Sequence, residues 1–231
     1  MFKFSKPSIR NGELVLIVAT AVVALLAFIT FSAYSAEDRQ KNANQGRVKG
    51  TQEMAVATFG SGCFWCTEAD FDKVPGVLET ISGYMGGKPE TADYQTVSSG
   101  TTKHQEVLQV TYDPSQVTYK TLLDHFWRTT DIVDGGGQFC DRGPQYKPVV
   151  FAHNNEQLEL ARSEKAALNN SKQFDKPVAV EIKSVADLKF TAAEDYHQNY
   201  YKKKPLRYKY YRYSCGRDAR LKRLWRKALT N

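Results

Sequence analysis

The chain has 231 residues, 42% of them apolar and 25% charged. That balance excludes a disordered polar chain and fits one globular domain with an extension. The net charge of +7 is more than accounted for by the tail Lys202 to Lys227, where Tyr208, Tyr210, Tyr211, Tyr213 and Trp225 interleave with the cations.

Residues 1–12 form a short basic region carrying Lys3, Lys6 and Arg10. Residues 13–34 hold the uncharged run Leu14 to Phe31, apolar on every side, which argues against a buried core helix. At about 18 residues it is long for the apolar part of a signal peptide and short of the ~20 that span a bilayer, and Ala33, Ser35 and Ala36 offer a cleavage site. A transmembrane anchor and a removed signal peptide both export the rest of the chain, so the expected location is extracytoplasmic, anchored or released. An exported chain rarely meets nucleic acid, and the basic tail therefore reads as a solvated face able to touch anionic lipid. Residues 35–52 are polar and read as a linker.

A single folded domain is expected over residues 53–231. Met54 to Phe59 is a short apolar run that enters Gly60-Ser61-Gly62, and Phe64 to Val74 follows with helical periodicity, giving strand, glycine turn and helix. Val77 to Tyr84 and Glu106 to Tyr112 are rich in β-branched and aromatic residues and predict strands. Thr118 to Thr129 predicts a helix, Gly135-Gly136-Gly137 opens a polar loop through Tyr146, and a strand at Val149 to His153, a helix at Asn155 to Leu168 and a strand at Val178 to Ile182 follow. Mixed order of this kind predicts an α+β protein, a two-layer sandwich of ferredoxin-like type with a mixed sheet, preceded by the N-terminal hydrophobic helix.

Cys63 closes the glycine turn at the start of a predicted helix, where free N–H groups and the helix dipole favour a thiolate. Cys63-Phe64-Trp65-Cys66 is also a Cys-x-x-Cys, which admits a redox pair or half of a zinc site. Zinc is disfavoured, because Cys140, Cys215, His153 and His197 are scattered singly. A general thiol-disulfide oxidoreductase built on Cys63 and Cys66 is the alternative enzyme reading, and a membrane-tethered binding module using the basic tail is the non-enzymatic one.

Gly62-Cys63-Phe64-Trp65 after a strand resembles the signature of the A-type peptide methionine sulfoxide reductases. Gly83 to Gly87, Tyr94 to Gly100, His104 to Val107, Tyr112-Asp113-Pro114, Asp141 to Tyr146 and Ala193 to Gln198 resemble that family in order and spacing, over Met54 to Cys215. The resemblance implies an enzyme that reduces methionine-(S)-sulfoxide in oxidised proteins, and in free form, with no bound cofactor or metal. A thioredoxin-type dithiol would donate the electrons, and the enzyme would work as a monomer. Cys63 would attack the sulfur and Glu106, raised by burial, would protonate the departing oxygen. Tyr94 and Tyr146 would hold that oxygen, Asp141 would orient Tyr146, a water or the substrate amide, and Phe64 and Trp65 would form an apolar wall for the methyl group. The sequence departs from the family at Cys66, which stands where Gly is usual, and at Ser61, a replacement of a frequent Gly expected to be harmless. Tyr213 to Arg217 resembles a C-terminal segment of some members, and its Cys215, in a mobile glycine-flanked tail, is the first choice to resolve the Cys63 sulfenic acid, ahead of Cys66. Cys140 is left as a relay thiol or a buried small hydrophobe.

Overall fold

The computed structural model describes residues 54–227. The basic region 1–12, the apolar segment 13–34 with its expected helix, and the linker 35–52 lie outside the described residues. Among the described residues no helix is long and apolar enough to cross a membrane.

The fold is mixed α/β with a mixed sheet. Strands β1 (Ala55–Gly60), β2 (Val77–Met85), β3 (Gln105–Tyr112), β6 (Val149–Ala152), β7 (Glu181–Ser184) and β8 (Thr191–Ala192) form one sheet in the order β7-β6-β1-β3-β2-β8. Neighbours are antiparallel except β6 and β7. A small hairpin of β4 (Gly137–Gln138) and β5 (Asp141–Arg142) stands apart; it lies within the stretch expected to be a polar loop. The helices are α1 (Phe64–Phe71), α2 (Tyr94–Ser98), α3 (Tyr119–Thr129), α4 (Asn155–Asn170), α5 (Tyr200–Lys203), α6 (Pro205–Ser214) and α7 (Arg217–Lys227).

Side chains alternate across a strand, and β3 shows what that does here. Leu108 and Val110 join the main core with Phe59, Phe71, Leu122, Leu123, Phe126 and Val150. Val107 belongs to a second cluster with Met85, Val149 and Phe151. Glu106 therefore shares the face of Leu108 and Val110, the face that α1 and α3 cover. The register completes the placement: Phe59 pairs with Leu108, and a side chain on Gly60 would meet the Glu106 carbonyl at 3.0 Å, so Glu106 lies level with the end of β1 where the glycine turn begins.

Thr118 and Asn154 cap α3 and α4 by accepting the backbone N–H groups of Thr121 and Gln157, as their positions before the periodic runs foretell. Two boundaries move. The helix expected to reach Val74 ends at Phe71, ahead of a pre-proline residue biased away from helical backbone. The strand expected at Val178 to Ile182 is observed as β7, three residues later. Val178 and Val180 are core residues, but the N–H groups of Val178 and Ala179 donate to Asn169 Oδ1 and the Ile132 carbonyl rather than to a ladder. Their apolarity records burial, not strand pairing.

The tail is the larger correction. It is neither a wholly solvated basic face nor a mobile segment: it forms α6 and α7, and three of its arginines tie it to the body. Arg212 pairs with Asp70 at 2.9 Å and with Asp218, and Arg220 pairs with Asp131 at 2.6 Å. Arg217, 2% exposed, donates to the Ser61 carbonyl, the Ser61 hydroxyl and the Thr129 carbonyl at 3.0, 2.9 and 2.7 Å, with its guanidinium over the Phe139 ring.

Candidate active site

The glycine turn is shaped by contact as well as by backbone freedom. Gly62 has φ +80°, and a Cβ there would sit 2.5 Å from Gln138 Cβ, so only glycine lets β1 turn into α1 beneath the β4–β5 hairpin. Ser61 is not an incidental replacement for glycine: its buried hydroxyl meets Thr130 Oγ1 at 2.9 Å and accepts from Arg217. Cys63 is the N-cap residue of α1 and is buried.

The next N–H in the chain, that of Phe64, donates to Glu106 Oε2 at 3.1 Å. The loop that carries Cys63 and the carboxyl of β3 thus meet. Burial pushes the Glu106 carboxyl up to about 8, against the pull of the Phe64 N–H and with reinforcement from Asp141 and other negative neighbours. At neutral pH it is a protonated acid, the form able to donate.

A cavity of about 80 Å3 is lined by Cys63, Phe64, Trp65, Tyr94, Glu106, Asp141, Tyr146 and Tyr211. Seven of these eight are the residues singled out in the sequence from four separate stretches. Asp93 caps α2 and Glu194 accepts the Tyr94 N–H at 2.8 Å, fixing the first of the phenols. Tyr146 ends a single 3-10 turn at Pro144–Tyr146. Burial raises the pKa of Tyr94, Tyr146 and Tyr211, so all three remain hydroxyl donors. Asp141, placed by the hairpin, accepts from Tyr211 rather than from Tyr146. Its own carboxyl is raised by burial, opposed by that bond and by Arg217. The indole of Trp65 stacks on Tyr200 with centroids 3.8 Å apart.

The cysteines depart most from expectation. Cys63 and Cys66 are free, buried and hydrogen-bonded to each other. The Cys63 thiol is pushed well up by burial, by donation to Cys66 and by the negative charges of Cys66, Glu106 and Asp141. Cys66 is lowered by that same hydrogen bond, against burial, with help from Arg217 and Arg212. Of the two thiols, Cys66 is the more readily ionised and Cys63 the less. A standing Cys63 thiolate is therefore corrected: burial favours the neutral thiol, and the first helix N–H has gone to Glu106. Cys215 is also not free in this state. It is the C-cap of α6 and forms a disulfide with Cys140, whose Cα is 4.9 Å away. Cys140 is thus neither buried nor single. Cys140, Asp141 and Cys215 bring metal-type donor atoms within 4.8 Å of one another, but both sulfurs are engaged in the disulfide.

Tyr211, Arg212, Arg217 and His197 complete the site, and the sequence reading gave none of them a role. One signal was available for the tail: Tyr208, Arg212 and Cys215 recur at helical spacing, which puts them on one face of α6 and Tyr211 beside it.

The sequence profile of the peptide methionine sulfoxide reductases matches residues 55–229. A peptide methionine sulfoxide reductase MsrA of Listeria monocytogenes is 44% identical over 175 residues, covering 76% of this chain and 98% of that protein. The MsrA/MsrB protein of Vibrio cholerae is 46% identical over 196 residues, covering 85% of this chain, which spans half the length of that relative. Among solved structures, reduced Mxr1 of Saccharomyces cerevisiae superposes with a TM-score of 0.61 at 30% identity, over 67% of this chain and 88% of that one.

Proposed function

The chain belongs to the peptide methionine sulfoxide reductase family, and from that premise we propose how its residues divide the reduction of a methionine (S)-sulfoxide. The observation that carries the reading is the single small cavity in which the Cys63 sulfur, a protonated Glu106 and three phenols converge.

The sulfoxide methyl packs on Phe64 and Trp65, and its oxygen is held by Tyr94 and Tyr146, with Tyr211 set by Asp141 as a further donor. Glu106 gives its proton to that oxygen, which leaves the sulfur electrophilic. Cys63 attacks as its own proton passes to Cys66 in its ionised form, the sulfur it already faces. The oxygen transfers to Cys63, giving a sulfenic acid and a free thioether. Cys66, now a thiol, attacks the Cys63 sulfur, and its proton leaves with the hydroxyl as water. The product is a Cys63–Cys66 disulfide. Cys66 is thus the resolver in place of Cys215, because its sulfur is hydrogen-bonded to that of Cys63 at the start of a helix.

Both sulfurs of that inner disulfide are buried, whereas Cys140 is exposed. Thiol–disulfide exchange needs direct approach to a sulfur. The reduced Cys140 and Cys215 therefore transfer the oxidation outward, becoming the disulfide of this structure, and a thioredoxin-type dithiol reduces them. The substrates are oxidised methionines in proteins, and free methionine sulfoxide, since an apolar wall around one thioether makes no demand on chain ends. Residues 13–34 deliver domain 53–231 to an extracytoplasmic location and the membrane, a reading supported by their composition and flanking charges. A ferredoxin-like two-layer core is supported by the central antiparallel order β6-β1-β3-β2.

The test is single-turnover chemistry on fully reduced protein. Cys63→Ser should make no methionine, and Cys66→Ser should make its first equivalent but accumulate a trappable sulfenic acid. Loss of the first equivalent in Cys66→Ser, with robust reduction of protein disulfides by the unaltered chain, would instead indicate a general thiol-disulfide oxidoreductase.

A further inference from the structure

The stretch Ala193 to Gln198 carries no role in the steps above, yet it places a histidine directly behind the methyl wall. The ring of His197 is 1% exposed and does not line the cavity. It touches three residues that do: its centroid lies 4.4 Å from Tyr94, 5.0 Å from Phe64 and 5.7 Å from Trp65. The indole N–H of Trp65 donates to His197 Nδ1 at 3.0 Å.

That bond defines the histidine's state. An accepting Nδ1 puts the single ring proton on Nε2, and burial holds the ring below its ordinary pKa against the pull of Glu194. Nε2 has no hydrogen-bond partner among the described residues, with Glu194 Oε2 4.0 Å away. A buried donor without a partner is costly. Packing alone would be served as well by an apolar ring at this position, so the accepting nitrogen is the feature that requires histidine.

The geometry around Trp65 shows what that nitrogen adds. Tyr200 stacks on the indole with the planes 8° apart. A stack fixes the plane of a ring but lets it slide and turn within that plane. A hydrogen bond to the ring nitrogen removes this remaining freedom. The indole edge that meets the substrate is then fixed to a fraction of an ångström, the scale on which a methyl group differs from an ethyl group.

We propose that His197 is a positioning residue that sets the pocket's preference for a methyl group on the sulfur, by locking the Trp65 indole within its stack on Tyr200. The inference rests on the assignment of Phe64 and Trp65 as the methyl wall. The experiment measures kcat and KM of the full chain for methionine sulfoxide and for its S-ethyl homologue, in His197→Ala, His197→Asn, Trp65→Phe, Trp65→Ala and the His197→Ala/Trp65→Phe pair. One methylene in a shaped apolar pocket is worth roughly 10–200-fold. His197→Ala and Trp65→Phe should each lower the methyl-over-ethyl ratio of kcat/KM by about fivefold, mainly through KM, and the pair should do no worse than either alone. His197→Asn, whose Oδ1 takes the place of Nδ1 as acceptor, should keep the ratio within about twofold. Trp65→Phe removes the donor and leaves histidine in place, so it carries the test if His197→Ala does not fold. An unchanged ratio in Trp65→Phe and His197→Ala while Trp65→Ala lowers it, or a His197→Asn as impaired as His197→Ala, overturns the proposal and leaves the wall intact. An unchanged ratio in Trp65→Ala overturns the wall itself.

Discussion

Two cysteine pairs, with Asp141 and Tyr211 between them, live under opposite conditions. The inner pair, Cys63 and Cys66, is buried, reduced and surrounded by groups that decide where one proton sits. The outer pair, Cys140 and Cys215, is joined, partly exposed and placed by a hairpin and a helix end rather than by charge. Oxygen chemistry needs a dry, proton-controlled pocket, and electron delivery by another protein needs a sulfur within reach from outside. One sulfur cannot satisfy both requirements, and the chain separates them.

The sharpest way to break this contrast is at its inner end. Cys63→Ser should lower sulfoxide reduction by about 10^4-fold or more, because the covalent step is lost; retention of activity in a direct methionine assay would remove the inner site altogether. Glu106→Gln should lower kcat by about 10^2–10^4-fold. In the unaltered chain activity should fall as pH rises through about 8, since the acid must be protonated and burial holds its pKa there. A pH profile that is flat from 6 to 9, on the order of two units around that pKa, would reassign the proton donor.

The outer end gives the next effects. With a thioredoxin-type dithiol, Cys140→Ser should turn over at least about tenfold more slowly, yet a small dithiol that can enter the pocket should restore most of the rate. Reduced and freed of reductant, the unaltered chain should make a second equivalent of methionine where Cys140→Ser makes one. A single equivalent from both would leave the outer disulfide a purely structural tie. Arg217→Ala touches both pairs: it removes three hydrogen bonds to Ser61 and Thr129 and a cation near Cys66, and should cost roughly 2–4 kcal/mol in denaturant unfolding.

The smallest expected effect concerns Glu68 in α1. Its carboxyl is fully buried and is pushed up to about 7 by burial, opposed by backbone N–H groups at Asn199 and Tyr200. A folded pKa above the unfolded value means that the native state holds the extra proton, so its contribution is complete below the unfolded pKa and lost as pH rises through about 7. Glu68→Gln should therefore be near neutral at acidic pH and increasingly stabilising as pH rises through about 7. Equal stability changes below and above that pH would show that the carboxyl ionises freely in the folded chain.

What could be read in the chain divides along the same line. The inner site was legible because each part is a local pattern: a glycine turn before a periodic run, a carboxyl on an apolar strand, and family motifs around Tyr94, Asp141 and Tyr146. The seven residues chosen on those grounds share one cavity. The outer site was not, because it depends on the tail folding back. Lys and Arg in number suggest solvent, and nothing local says that Arg217 will be buried against Ser61. The raised Cys63 thiol was missed for a related reason: a helix start favours an anion only until its N–H groups are claimed, and Glu106, forty-three residues from Cys63 in the chain, claims the first.

The outer disulfide spans 75 residues of chain. Closing a loop of that size removes enough freedom from the unfolded ensemble to stabilise a fold by about 4 kcal/mol. In the relay proposed above, each delivery of electrons opens the loop, and the molecule would alternate between a tougher and a more pliable form as it works. A starved enzyme, short of reductant, would rest in the tougher one, and heat or protease would find it hardest to destroy when it has least to do.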